Sequence, residues 1–155
     1  MSSKYHQDPT KNEASSTMAD VIVKASTDKN YTQEINAGPF NLLSDVSQDL
    51  GGEEKGPNPH QLMLSSLGAC TSITVQMYAK RKGYKLDKVT IALKEEKTED
   101  PENPSRSMPR IVREIELVGD LSAEEIEDLK RIADKCPIHK LMVGPKEIAT
   151  TVSKA

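Results

Sequence analysis

The tetrapeptide Cys136-Pro137-Ile138-His139 concentrates more reactive chemistry than any other stretch of this 155-residue chain. If Pro137 opens a short helix, Cys136 caps its N-terminus, where backbone N–H groups and the helix dipole favour a thiolate. Lys135 and Lys140 add positive potential on either side. His139 either faces back toward Cys136 or lies in solvent, and solvent is the plainer expectation. The other cysteine, Cys70, stands 66 positions earlier among Met, Leu and Ile, surroundings that by themselves raise a thiol pKa. It needs a nearby cation to act as a nucleophile; otherwise it is a core residue. Paired thiols in a reducing compartment are usually catalytic, redox-sensing or metal-binding, although two buried, inert cysteines would fit the composition equally well.

Other chemistries find less support. His60, Cys70, Cys136 and His139 could supply a tetrahedral zinc set, but their spacing is irregular and no CxxC pair is present. No P-loop, dinucleotide fingerprint, HExxH or GxSxG occurs. With 24 acidic against 21 basic residues the net charge is −3, which argues against a broad nucleic-acid footprint. Four Tyr, one Phe and no Trp leave little with which to stack single-stranded bases. No run is apolar enough to span a bilayer, so no membrane partner is expected. The first twenty residues show neither a signal-peptide pattern nor the Arg-rich character of a mitochondrial presequence. A soluble, cytoplasmic protein is the expectation.

The elements that must position these thiols can be read from patterning. Residues 1–19, rich in Ser, Thr, Lys and Asn, are expected to form a mobile tail ahead of a single domain over 20–155. Strands near Val21–Val23, Tyr31–Asn36 and Phe40–Ser44, with turns at Asp28–Asn30 and Ala37–Pro39, predict an antiparallel meander. Gly51–Pro57 is a loop. Asn58-Pro59 then supplies a cap and a first-turn proline, and from His60 to Ala79 there is no Asp, Glu, Lys or Arg. Leu62, Met63, Leu67, Cys70, Ile73, Thr74 and Met77 recur at helical spacing. A helix without charge on any side is buried on most faces. In a chain of this size that implies cover from a second subunit, and Gly68 is a point where the helix could kink or divide. Val89–Leu93 alternates as a strand. Residues 98–109, with Pro101, Pro104 and Pro109, are expected to form a loop. Arg110–Val118 alternates again, with Ile111, Arg113, Ile115 and Leu117 on one face. Ser122 and Glu125 make a capping box for an amphipathic helix carrying Ile126, Leu129, Ile132 and Ala133, which stops by Cys136. Ile148–Val152 reads as a last strand. The order is that of an α+β protein.

Taken in order, Gly56-Pro57-Asn58-Pro59-His60-Gln61-Leu62-Met63-Leu64-Ser65-Ser66-Leu67-Gly68-Ala69-Cys70-Thr71-Ser72, then Arg81-Lys82-Gly83, then Ile115–Ser122 and Ile132–His139, this sequence resembles the OsmC/Ohr family, and its general OsmC-like branch most of all. The resemblance runs from about Asp20 to the C-terminus. It implies an intertwined homodimer, antiparallel sheets wrapped around long central helices, with sites at the subunit interface. It implies cysteine-based reduction of organic hydroperoxides in oxidative stress defence, with no metal or organic cofactor. By position Cys70 matches the peroxidatic cysteine and Cys136 the resolving one, their disulfide being reset by an external dithiol. Peroxidase members hold the thiolate with an Arg from the N-terminal strands and a Glu just after the Asn-Pro. Here the first Arg is Arg81, and His60-Gln61 stands at the Glu position. Candidates for the cation are Arg113, Lys24 or Lys29, with Glu53, Glu54, His60 or Gln61 as orienting groups. Lys would serve only as a point charge, without the Arg fork. Arg113, on an apolar strand face, needs a partner, and Glu95 and Glu96 are the expected ones if it is not simply exposed. The alternative function is a redox-responsive binding protein that keeps the fold and the Cys pair without efficient turnover.

Overall fold

The structure, a computed structural model, describes residues 19–154. The tail expected over 1–19 lies, but for its last residue, outside them. The chain divides after Asn58 into two compact units, at the point where short alternating segments give way to the charge-free run.

The first unit is the expected meander: β1 (Val21–Lys24), β2 (Gln33–Ala37) and β3 (Phe40–Ser44) pair antiparallel in the order β1-β2-β3. Ala37 pairs with Phe40 across a two-residue loop, whose first position needs a positive φ that Gly38 adopts at 58°. Just past β3 lies Asp45, 2% exposed. Its carboxylate accepts hydrogen bonds from the N–H groups of Val46 (2.8 Å), Glu53 (3.2 Å) and Lys55 (3.3 Å) and from the Thr32 hydroxyl (3.0 Å). Burial alone would raise this carboxyl; the four donors outweigh it and hold it below the ordinary value. The loop is thereby folded back so tightly that a Cβ on Gly52 would meet the Val46 carbonyl oxygen at 2.0 Å.

The second unit begins with α1 (Pro59–Lys82), one uninterrupted helix. Gly68 therefore does not divide it; a Cβ there would meet Leu93 Cδ1 at 2.9 Å, so the glycine admits a close neighbour rather than a break. Lys80, Arg81 and Lys82 close the helix at its negative end. Leu67, Gly68, Thr71, Val75 and Ala79 form its buried stripe. The opposite stripe is open among the described residues: Ile73 is 56% and Met77 68% exposed.

The stripe packs on a two-stranded ribbon, β4 (Lys85–Asp100) and β5 (Asn103–Asp120). The loop expected over 98–109 is instead the end of this hairpin. Lys97 pairs with Pro109, Thr98 with Met108 and Glu99 with Ser107, and the chain turns at Pro101-Glu102. In a two-stranded ribbon both strands are edges, where proline is tolerated. Pro104 falls in the irregular stretch between the Glu99–Ser107 and Asp100–Asn103 pairs. After β5, Ser122 and Glu125 form the capping box of α2 (Ala123–Ala133), and α3 (Pro137–Val143) follows after three residues.

Val75 and Ala79 pack against Leu129 and Ala133, with Tyr84, Val89, Ile115 and Leu117 around them. A buried leucine of this kind contributes about 1.5–3 kcal/mol. The Tyr78 and Tyr84 hydroxyls both donate to Asp128 Oδ2, at 2.8 and 2.9 Å, tying the end of α1 to α2. The carboxylate pushes Tyr84 up to about 12. The strand expected at Ile148–Val152 does not form. Ile148 is 85% and Val152 93% exposed, and among the described residues no strand pairs with the segment. Alternation supplies a face, but a strand also needs a partner strand that pairs with it. Among the described residues no helix is long and apolar enough to cross a membrane.

Candidate redox site

Three elements bring the two cysteines together. The buried stripe of α1 turns one side of Cys70 inward, leaving it partly exposed. The end of α2 and the start of α3 hold Cys136, which is fully buried. Pro137 stands at the first position of α3, where its fixed φ suits the helix and no N–H is needed. Cys136 is the cap: its Sγ accepts the His139 N–H at 3.4 Å. Both thiols are free, and they lie near enough to shift each other's titration.

The two sulfurs are not equivalent. Burial pushes the Cys70 thiol up, and the proton it donates to Cys136 holds it there. Burial also works against a Cys136 thiolate. It is outweighed by hydrogen bonds from the Cys70 thiol, the His139 N–H, the Thr71 hydroxyl and the Ile138 N–H, which bring Cys136 below the ordinary cysteine value.

Arg113 projects from β5 toward this pair. Its Nη1 donates to Thr71 Oγ1 (3.0 Å) and the Ala133 carbonyl oxygen (3.4 Å), and its Nη2 meets Asp134 Oδ1 at 2.6 Å. The expected partners, Glu95 and Glu96, are therefore replaced by Asp134, and Arg113 is not an exposed strand residue: its side chain is 14% exposed. The reason lies in the ribbon. Arg113 faces Leu93, so alternation sends Glu96 to the other face, where it meets Arg110, while Glu95 is taken by His60 at 2.7 Å. His139, expected in solvent, is only 29% exposed, its Nδ1 3.9 Å from Asp134. Arg113 and His139 join Leu67, Ile111, Met142 and Val143 in lining a cavity of ≈ 380 Å³.

The remaining candidates have partners of their own. His60, in the first turn of α1, is engaged with Glu95 on β4, and Gln61 follows it as an exposed residue of the same turn. Glu53 pairs with Lys55 (2.5 Å), and Glu54 accepts from Gln48, all within the first unit; Lys29 pairs there with Glu34. Among the described residues no three His, Cys, Asp or Glu side chains group as a metal site would require. Thr71 and Asp134 escaped the sequence reading. A hydroxyl four residues from Leu67 and four from Val75, on the buried stripe, was the available signal for Thr71. Asp134 lies two residues before Cys136 with no pattern to mark it.

Fold and site together define a mixed α/β protein with antiparallel sheets, in which a helix-borne thiol meets a thiol that caps the next helix but one. Residues 52–151 match the family described as OsmC-like protein, and the chain belongs to that family. Among solved structures it is similar to an OsmC-like protein from Mycoplasma pneumoniae: 20% identity, TM-score 0.65, covering 84% of this chain and 90% of that one. It is similar to an organic hydroperoxide resistance protein OsmC from Legionella pneumophila, with 24% identity, TM-score 0.59, and 83% and 92% covered. The organic hydroperoxide resistance protein OhrB of Bacillus subtilis has the same fold at 19% identity, TM-score 0.57, with 83% and 92% covered. No curated protein matches the chain.

Proposed function

We propose that this protein is a cysteine peroxidase that reduces organic hydroperoxides in the cytoplasm as part of oxidative stress defence. The observation that carries the reading is the pair of free thiols, Cys70 and Cys136, that shift each other's titration. Of the two sulfurs only Cys70 is partly exposed, so peroxide meets Cys70 first. Its sulfur attacks the peroxide, the O–O bond breaks, an alcohol leaves, and a sulfenic acid remains. Cys136, buried beside it, condenses with the sulfenic acid to a disulfide, which an external dithiol reduces. Solved structures named as organic hydroperoxide resistance proteins share the fold, which favours this substrate class. The apolar, charge-free stripe of α1 around Ile73 and Met77 suits a second copy of the chain, so the working unit is a homodimer.

Steady-state reduction of cumene hydroperoxide with a dithiol tests the reading. Wild type is expected to turn over and Cys70→Ser to stop; no turnover by wild type, or unchanged turnover by Cys70→Ser, defeats it. One observation favours a redox-responsive binding protein instead: burial pushes the Cys70 thiol up, and Arg113 reaches Thr71 rather than Cys70. That reading predicts disulfide formation without sustained turnover in the same assay.

A further inference from the structure

Two thioethers share a cavity with a guanidinium and an imidazole. Met108 on β5 and Met142 on α3 line the ≈ 380 Å³ space that Arg113 and His139 also line, a volume within the roughly 300–1,000 Å³ of small-molecule sites. Leu67 and Ile111 add aliphatic wall, and no carboxylate is among the described residues lining it. His139 and Met142 stand three residues apart on α3, which puts them on one side of that helix. Arg113 is held by its Nη1 bonds to Thr71 and the Ala133 carbonyl oxygen and by its Nη2 bond to Asp134; Nε takes no part in these bonds. Methionine commonly fills irregular gaps in a core. Here Met108 is 40% exposed and Met142 half-buried, so neither plugs a closed core and molecules from solvent reach this wall.

We infer that Met108 and Met142 are a second oxidation site of this protein, where an apolar organic hydroperoxide seated in the cavity turns a thioether into a sulfoxide. The occupant follows from the lining. The aliphatic wall takes an alkyl or aryl body, the two donors take an oxygen, and the guanidinium turns away a cation. The thioether sulfur attacks the terminal oxygen of the hydroperoxide; the S–O bond forms and the O–O bond breaks. The departing alkoxide, hydrogen-bonded by Arg113 or His139, takes up the proton of that terminal oxygen and leaves as alcohol. The sulfur loses two electrons and the peroxide gains them, so no other reagent is required. A sulfoxide is polar where the thioether was apolar, so the oxidised cavity holds an apolar guest less well. The peroxide thus sets a brake on its own entry. The inference stands apart from the thiol chemistry and does not need Cys70 to turn over.

The test uses the reduced full chain carrying Cys70→Ser, which spares the peroxide from reaction at Cys70. It is exposed to equal amounts of cumene hydroperoxide or hydrogen peroxide, and sulfoxide at each methionine is read by peptide mass mapping. Met77, 68% exposed on α1 and outside the cavity, is the reference. Hydrogen peroxide has no apolar body to seat, so its oxidation follows exposure. Cumene hydroperoxide is expected to raise the ratio of Met108 and Met142 sulfoxide to Met77 sulfoxide by about tenfold over that of hydrogen peroxide. Excess cumyl alcohol, which has the same body without the peroxide oxygen, is expected to abolish the difference. Ile111→Phe, which narrows the cavity, should do the same. Should either variant fail to fold, wild type under excess hydroperoxide with and without the alcohol supplies the readout. Equal ratios for the two peroxides, or a raised ratio that the alcohol leaves unchanged, overturn the inference and leave the thiol reading standing. A raised, alcohol-sensitive ratio in a protein whose wild type turns over no hydroperoxide upholds the inference and defeats the peroxidase reading instead.

Discussion

Asp45 in the first unit and Cys136 in the second are built on one plan. Each is almost wholly buried, and each collects backbone N–H groups and a threonine hydroxyl, Thr32 in one case and Thr71 in the other. Their uses differ because of what else arrives. Every donor to Asp45 comes from within thirteen residues, and the result is a closed loop with no group left to react. Cys136 gathers donors from α1 and α3, with a guanidinium from β5 behind one of them, and one of its donors is a second thiol. A carboxylate satisfied by its own neighbourhood fixes a shape; a thiol satisfied by a partner that can also be oxidised holds a reaction in waiting. The number of hydrogen bonds does not separate the two centres, but the identity of one donor does.

The comparison breaks first at Cys70. Cys70→Ser should lower hydroperoxide turnover by about a thousandfold or more, as loss of a nucleophile does, in the coupled peroxidase assay. The second unit should also depend on cover over Ile73 and Met77, both exposed among the described residues. Met77→Lys, on the open stripe of α1, is expected to convert a dimer to monomers in sedimentation velocity, and a monomeric wild type would remove the reason for that stripe. At Asp45 the effect is on stability and its sign follows from the lowered carboxyl pKa. Its contribution is complete above the ordinary value of 3.8 and is lost as pH falls through the lower folded value. Asp45→Asn should therefore flatten the acid end of the stability–pH curve measured by urea unfolding. The smallest change is at Ser122, whose capping box starts the helix that leads to Asp134 and Cys136. Ser122→Ala should cost about 0.5–2 kcal/mol in the same unfolding measurement.

Much of the scaffold was legible because its signals are local. The meander carries its turns in Asp28–Asn30 and Ala37–Pro39, α1 opens on Asn58-Pro59 and closes on Lys80–Lys82, and Ser122 and Glu125 announce α2. The misreadings fall where a distant partner decides. Pro101, Pro104 and Pro109 look like a loop until β4 lies beside them, and Ile148–Val152 looks like a strand until no edge receives it. Arg113 on an apolar face required a counter-charge, which the sequence could announce without locating. Asp134 is 21 residues away on another element. Thr71 beside Cys70 reads as a small core residue until the tertiary structure sets Arg113 on one side of its hydroxyl and Cys136 on the other.

The most direct test of the account is a thiol count and peptide map after adding one equivalent of cumene hydroperoxide to the reduced protein. The account predicts loss of both free thiols and a single peptide pair joined through Cys70 and Cys136. Two thiols still free, or a Cys70 oxidised beyond sulfenic acid with Cys136 untouched, would contradict it.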